Sequence, residues 1–118
     1  MTADAIYDRV LALMFSGENE KGDMLNQFLA TLNIHLAELF EKENGLRKVP
    51  LSEPPIISGV DERVNYDKRI LAFLPYGIAG TMMAEDDPNI AAQYKNKYEE
   101  ERARCVVCKF VGVVNDEI

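Results

Sequence analysis

The cysteines at 105 and 108, spaced Cys-Val-Val-Cys, are the residues of this chain whose type and spacing come closest to a chemical motif. Such a pair can supply half of a zinc site or a redox couple. Zinc asks for four ligands, and the one other soft donor in the sequence is His35. A thioredoxin-type pair belongs after a strand in a βαβ pattern, and no such pattern precedes Cys105. On a helix both thiols share a face with Ile90 and Tyr94, which favours buried small apolar side chains. His35 borders an apolar stripe beside Phe28 and Leu39, with no serine or cysteine constellation around it, and reads as structural. Glu85-Asp86-Asp87 lacks the alternating oxygens and turn glycine of a calcium loop. It reads instead as acids that cap and complement the start of the next helix. There is no Gly-rich phosphate loop, HExxH or GxSxG. No catalytic, cofactor-binding or metal-binding residue is expected, and no enzyme.

The elements that would carry these residues read as helices. A first helix is predicted over about Ala3 to Phe15, with Ile6, Val10, Leu13 and Met14 on one stripe, Thr2 as its cap and Ser16-Gly17 as its stop. The polar run Gly17 to Gly22 reads as a loop. A second helix is predicted over about Met24 to Glu43, capped by Asp23, with one face of Leu25, Phe28, Leu29, Leu32, Leu36, Leu39 and Phe40, and with Asn44-Gly45 as its stop. Ile34 points away from that face.

Leu46 to Val64 holds Pro50, Pro54 and Pro55, which remove backbone donors and exclude a long helix. A linker of this length in a small domain is commonly a contact surface. A third helix is predicted over about Asp67 to Glu85. Ile70, Leu71, Phe73, Leu74, Ile78, Met82 and Met83 nearly encircle it, so it is buried on several sides, in part by another subunit. Pro75 should kink or split it, while Gly77, Ala79 and Gly80 allow a neighbour to come close. Met82, Met83, Tyr94 and Tyr98 read as core before contact surface. A fourth helix starts at Pro88, a favoured first-turn residue. The β-branched tail is open to a short C-terminal strand, and residues 109–118 are expected to be mobile.

These elements make one all-α domain over residues 1–118: four helices, a long proline-containing linker between the second and third, and that short strand. A net charge of −7 opposes sequence-independent nucleic-acid binding, which needs Lys and Arg on phosphates. The densest basic group, Lys95, Lys97, Arg102, Arg104 and Lys109, is interrupted by glutamates at 99 to 101. No apolar run is long enough to span a bilayer, and MTADAIYDRV lacks the basic then apolar order of a signal peptide. The chain is expected to be cytoplasmic at the point of synthesis, and two cysteines without a secretion signal disfavour a structural disulfide.

The order of these pieces resembles the head-to-tail adaptor proteins, or head-completion and neck proteins, of tailed bacteriophages and prophages. ADAIYDRVLALM is similar to the short opening helix of that group, and MLNQFLATLNIHLAELFEKENGLR to its long second helix. After a proline-bearing linker, VNYDKRILAFLPYGIAGTMMAEDDPNIAAQYKNKYEEERAR is similar to its closing helical pair, with AEDDPN as the acidic turn and KYEEER in the final helix. The likeness runs from Ala3 to Arg104; the CVVC and the apolar tail depart from it. It implies a ring, typically of about twelve subunits, closed by head-to-tail contacts. Such a ring sits beneath the portal protein, extends the DNA channel without binding the DNA specifically, and offers a platform to the next neck or tail protein. It would form in the host cytoplasm and reside in the virion neck, with no membrane, cofactor or catalytic residue. The residues expected to make subunit or partner contacts are Ile56, Ile57 and Val60 in the linker and Phe110, Val111 and Val113 in the tail, taken for their apolar character. The rival readings are a small cytosolic helical adaptor or regulator unrelated to virions, a zinc or thiol-redox protein using Cys105 and Cys108, and last a nucleic-acid-binding module.

Overall fold

The computed structural model describes residues 1–15 and 21–117, and for 106–117 the backbone alone. Among the described residues there are five helices and no sheet: α1 Ala3–Leu13, α2 Leu25–Glu38, α3 Phe40–Leu46, α4 Lys68–Met82 and α5 Pro88–Glu117. The all-α class is therefore that of the protein. The one strand-like feature described is an isolated antiparallel bridge between Thr2 and Arg63.

α4 is the centre, packed by α1, α2 and α5. Ile70, Leu74 and Ile78 are fully buried, Leu71, Phe73, Met82 and Met83 nearly so. Its encircling apolar pattern is thus satisfied inside one chain, and the expected share of another subunit in covering it is not required. Tyr7 of α1 stacks on Phe28 of α2 with ring centroids 4.3 Å apart. Pro75 lies inside α4, which runs through it without splitting. A proline in a helix interior costs about 3 kcal/mol, and burial on three sides outweighs that. Met82, Met83 and Tyr98 are core residues.

Side-chain caps mark the starts of three helices, α1, α4 and α5. Thr2 Oγ1 accepts from Ala5 N–H at 3.2 Å, and Asp67 Oδ1 from Arg69 N–H at 2.9 Å. Asp87 Oδ1 accepts from Ile90 N–H at 3.2 Å, so the acidic corner does cap α5. Asp23 does not cap α2: its N-cap is Met24, with no side-chain hydrogen bond. The predicted second helix is two, because Leu39 (φ −90°, ψ 2°) leaves helical geometry between α2 and α3. That break accompanies a tertiary tie. Glu43 of α3, 1% exposed, accepts from Arg47 Nη1 at 3.0 Å and from the backbone N–H of Asp67 at the start of α4. Asn44-Gly45 is no stop, since α3 continues to Leu46. The Ser16-Gly17 stop lies outside the described residues.

The short C-terminal strand is also corrected: the backbone is helical to Glu117. A helix already nucleated gains one hydrogen bond per added residue. A lone strand would need a neighbour for its backbone groups, and the described residues offer no sheet to join. At 30 residues α5 is about 45 Å long.

The connection 47–67 is irregular but tied down. Asn33 of α2 accepts from Ile57 N–H at 2.7 Å and donates to Ile57 C=O at 2.9 Å. Asn44 treats Leu51 the same way, at 2.8 and 3.1 Å. The carbonyls of Glu62 and Val60 accept from Ala3 and Asp4 N–H, each at 2.8 Å. These are first-turn donors of α1 that have no partner within their own helix. Tyr66 closes the segment by donating to the Leu36 carbonyl at 2.5 Å.

Candidate functional site

The chemistry-bearing residues lie apart or are held in structural roles. His35, 6% exposed, sits in α2 with Nδ1 at 2.9 Å from the Thr31 carbonyl. A carbonyl only accepts, so Nδ1 carries the proton. The ring meets Tyr98 edge-on, with centroids 5.3 Å apart and planes at 83°. Tyr98 donates to Glu38 Oε1 at 2.6 Å, and Arg102 Nη1 reaches the same oxygen at 2.9 Å. Burial first, then the bond to Glu38, pushes the Tyr98 phenol far above its ordinary range, so it is a fixed donor and not a base. Thr81 Oγ1 donates to the Gly77 carbonyl at 3.0 Å. The cleft of about 290 Å³ beside these groups therefore offers no nucleophile paired with a base.

Cys105 is half-buried and lines a cleft with Phe73, Arg69, Glu101 and Arg104. The side chain of Cys108 lies outside the described residues. Among the described residues no three His, Cys, Asp or Glu side chains gather as metal ligands. No helix among them is long and apolar enough to cross a membrane.

Of the six expected contact residues, Ile56 stands out at 77% exposure, while Ile57 is in the core at 5%. Ile57 as a contact is corrected, because Asn33 grips its backbone and draws the side chain inward. Val60 is half-buried against the core. The side chains of Phe110, Val111 and Val113 lie outside the described residues. Sequence reading missed Val49 and Phe15 as exposed apolar residues, at 76% and 77%. Ile34, 64% exposed, was detectable from its place off the α2 stripe. It and Ile56 each adjoin one member of the Asn33–Ile57 pair.

Among the described residues a furrow runs along a strip of α4, walled by α1 and α5. One end, of about 310 Å³, is lined by Arg9, Ala12 and Leu13 of α1 with Ala72, Pro75 and Tyr76. The next, of about 270 Å³, shares Ala72 and Tyr76 and adds Arg69, Lys97 and Glu101. Its far end, of about 160 Å³, reaches Arg104 and Cys105. The Tyr94 hydroxyl donates to the Leu13 carbonyl at 2.8 Å and so ties α5 to the end of α1. Arg69 bonds Asp67 Oδ1 at 3.0 Å and holds that carboxyl below its usual range, chiefly through this hydrogen bond.

Compared with known protein families, curated proteins and solved structures, the chain matches none. The functional reading therefore rests on the residues themselves.

Proposed function

We propose that the protein is a structural subunit of a phage or prophage head–tail connector, docking below the portal and presenting a platform to the next neck or tail component. The observation that carries this reading is the order of elements behind the family resemblance: a short opening helix, a longer second one followed by the short α3, a tied linker, and a closing hairpin with an acidic turn. Supporting it are the contact-ready apolar side chains Ile34, Val49 and Ile56 and side-chain networks built for packing. Subunits would join head to tail, since such an interface closes into a ring when its rotation permits. Ile56 and Val60 remain contact candidates from the linker, with Phe110, Val111 and Val113 from the tail.

The deciding observation is the set of reading frames flanking the gene. Portal and capsid frames on one side and tail frames on the other are expected; metabolic or regulatory neighbours alone would remove the proposal. At the bench, Val111→Glu with Val113→Glu should impair assembly on a portal ring while leaving the helical circular-dichroism signal intact. Equal loss of both would assign those valines to folding.

A further inference from the structure

We propose that the furrow between α1, α4 and α5 receives the apolar-acidic C-terminal segment, residues 113–118, of a second copy of this chain. The inference rests on the self-association half of the proposed function and needs nothing of its virion half.

Charge is the first observation. In a chain of net charge −7, the described residues lining the furrow include Arg9, Arg69, Lys97 and Arg104 against one acid among them, Glu101. Arg104 is paired with that acid at 2.8 Å, and Arg69 with Asp67. Arg9 and Lys97 have no ion pair with any described residue. Lys97 Nζ stands 5.2 Å from the centroid of the Tyr76 ring, a cation presented over an aromatic floor. Beside it the floor is apolar, formed by Ala72 and Pro75. The fitting occupant carries aliphatic side chains next to carboxylates. The sequence Val113-Val114-Asn115-Asp116-Glu117-Ile118 has both in that order.

Length is the second observation. From Arg69 to Tyr76 the furrow follows two turns of α4, about 10 Å, a length that the helical residues 113–117 match at about 8 Å. Geometry then settles which copy supplies the segment. Arg69, one residue into α4, already faces Arg104 and Cys105. The α5 backbone continues as helix for twelve residues past Cys105, to Glu117, about 18 Å beyond the end of its own furrow. The tail of one copy is therefore offered to another. Donor and acceptor surfaces differ, so the contact is heterologous. Nucleic acid is the weaker occupant, because the field of an acidic protein opposes it.

The test is sedimentation velocity on the full chain at low and high salt. Wild type should self-associate, less so in high salt. Arg9→Glu with Lys97→Glu should weaken association roughly tenfold or more, and so should Asp116→Lys with Glu117→Lys. An equimolar mixture of the two variants should associate again, since each then meets a complementary charge; misfolding cannot produce that recovery. Association that ignores both reversals, or a mixture that stays dissociated, overturns the inference and leaves the connector reading to the flanking frames. A wild-type chain monomeric at every concentration also overturns it. So does binding of oligothymidylate that depends on Arg9 and Lys97 while association does not.

Discussion

The α4–α5 hairpin and the 47–67 linker are held by opposite means. In the hairpin, backbone and rings come close because side chains are missing. A Cβ at Gly77 would lie 2.7 Å from Tyr98 Cδ1 and 3.0 Å from His35 Cδ2, and one at Gly80 would lie 2.8 Å from Lys95 Cγ. In the linker, side chains reach out and take backbone groups. Asn33 and Asn44 each bond both the N–H and the C=O of one linker residue, and the Glu62 carboxylate accepts from Ser58 and Gly59 N–H at 2.7 and 2.6 Å. Packing of the first kind spreads its stability over many contacts, whereas the second concentrates it in a few polar atoms.

The sharpest break of the hairpin is Gly77→Leu. The obstacle is the pair of buried rings of Tyr98 and His35, not the flexible end of a side chain. The cost should reach about 3 kcal/mol or more, at or above the usual range for an overpacked core, read as a lower urea midpoint. Gly77→Ala gains about 1 kcal/mol of helix propensity yet should still destabilise. Gly80→Ala should do less harm, because Lys95 can turn its stem away, although the Ala91 carbonyl at 3.1 Å limits the relief. If Gly77→Ala proves neutral or stabilising, close approach is not what holds α5 on α4.

This contrast also decides what the sequence could tell. Hairpin, core face and first-turn caps follow from periodicity and neighbouring residues, so the stripes of α1, α2 and α4 and the cap at Thr2 were legible. The linker's anchors are single polar residues that act across the chain, and no local pattern marks them. Asn33 lies 24 positions from Ile57, and Ile57 read as exposed because nothing nearby hides it. Asn44 looked like a helix stop, whereas its amide is engaged with Leu51 and α3 runs past it. The furrow was equally hidden. Its cations come from Arg9, Arg69, Lys97 and Arg104, and sequence reading caught only the fraction on α5, diluted by glutamates at 99 to 101.

Asn33→Ala probes the linker. Two hydrogen bonds go, and Ile57 N–H and C=O lose their partners at a position 5% exposed. The expected loss is about 1–3 kcal/mol, from two bonds at about 0.5–1.5 kcal/mol each. Amide exchange should rise first around Ile57 and leave α4 and α5 protected, as a local opening does. Asn33→Asp keeps the acceptor for Ile57 N–H but loses the donor to its carbonyl, so it should fall between. Uniform exchange across the chain would mean that linker and hairpin unfold as one unit.

Tyr66 gives the smallest effect and the most specific. Its hydroxyl ties the end of the linker to the Leu36 carbonyl of α2. Burial first, then the nearby Glu43, pushes its pKa up to about 12. Tyr66→Phe should cost about 1 kcal/mol at neutral pH, one buried hydrogen bond. The pH dependence has a fixed sign. The folded state raises the pKa above the unfolded value of about 10, so the contribution is complete below pH 10 and is lost as pH climbs through about 12. The wild-type advantage over Tyr66→Phe should therefore be flat up to about pH 10 and fade across that window. Tyr98 is raised as well, but it is common to both proteins and cancels in the difference. A gap that persists unchanged through pH 12 would mean that the ring's packing, not its hydroxyl, fastens the linker to α2. The linker would then be held in the same way as the hairpin.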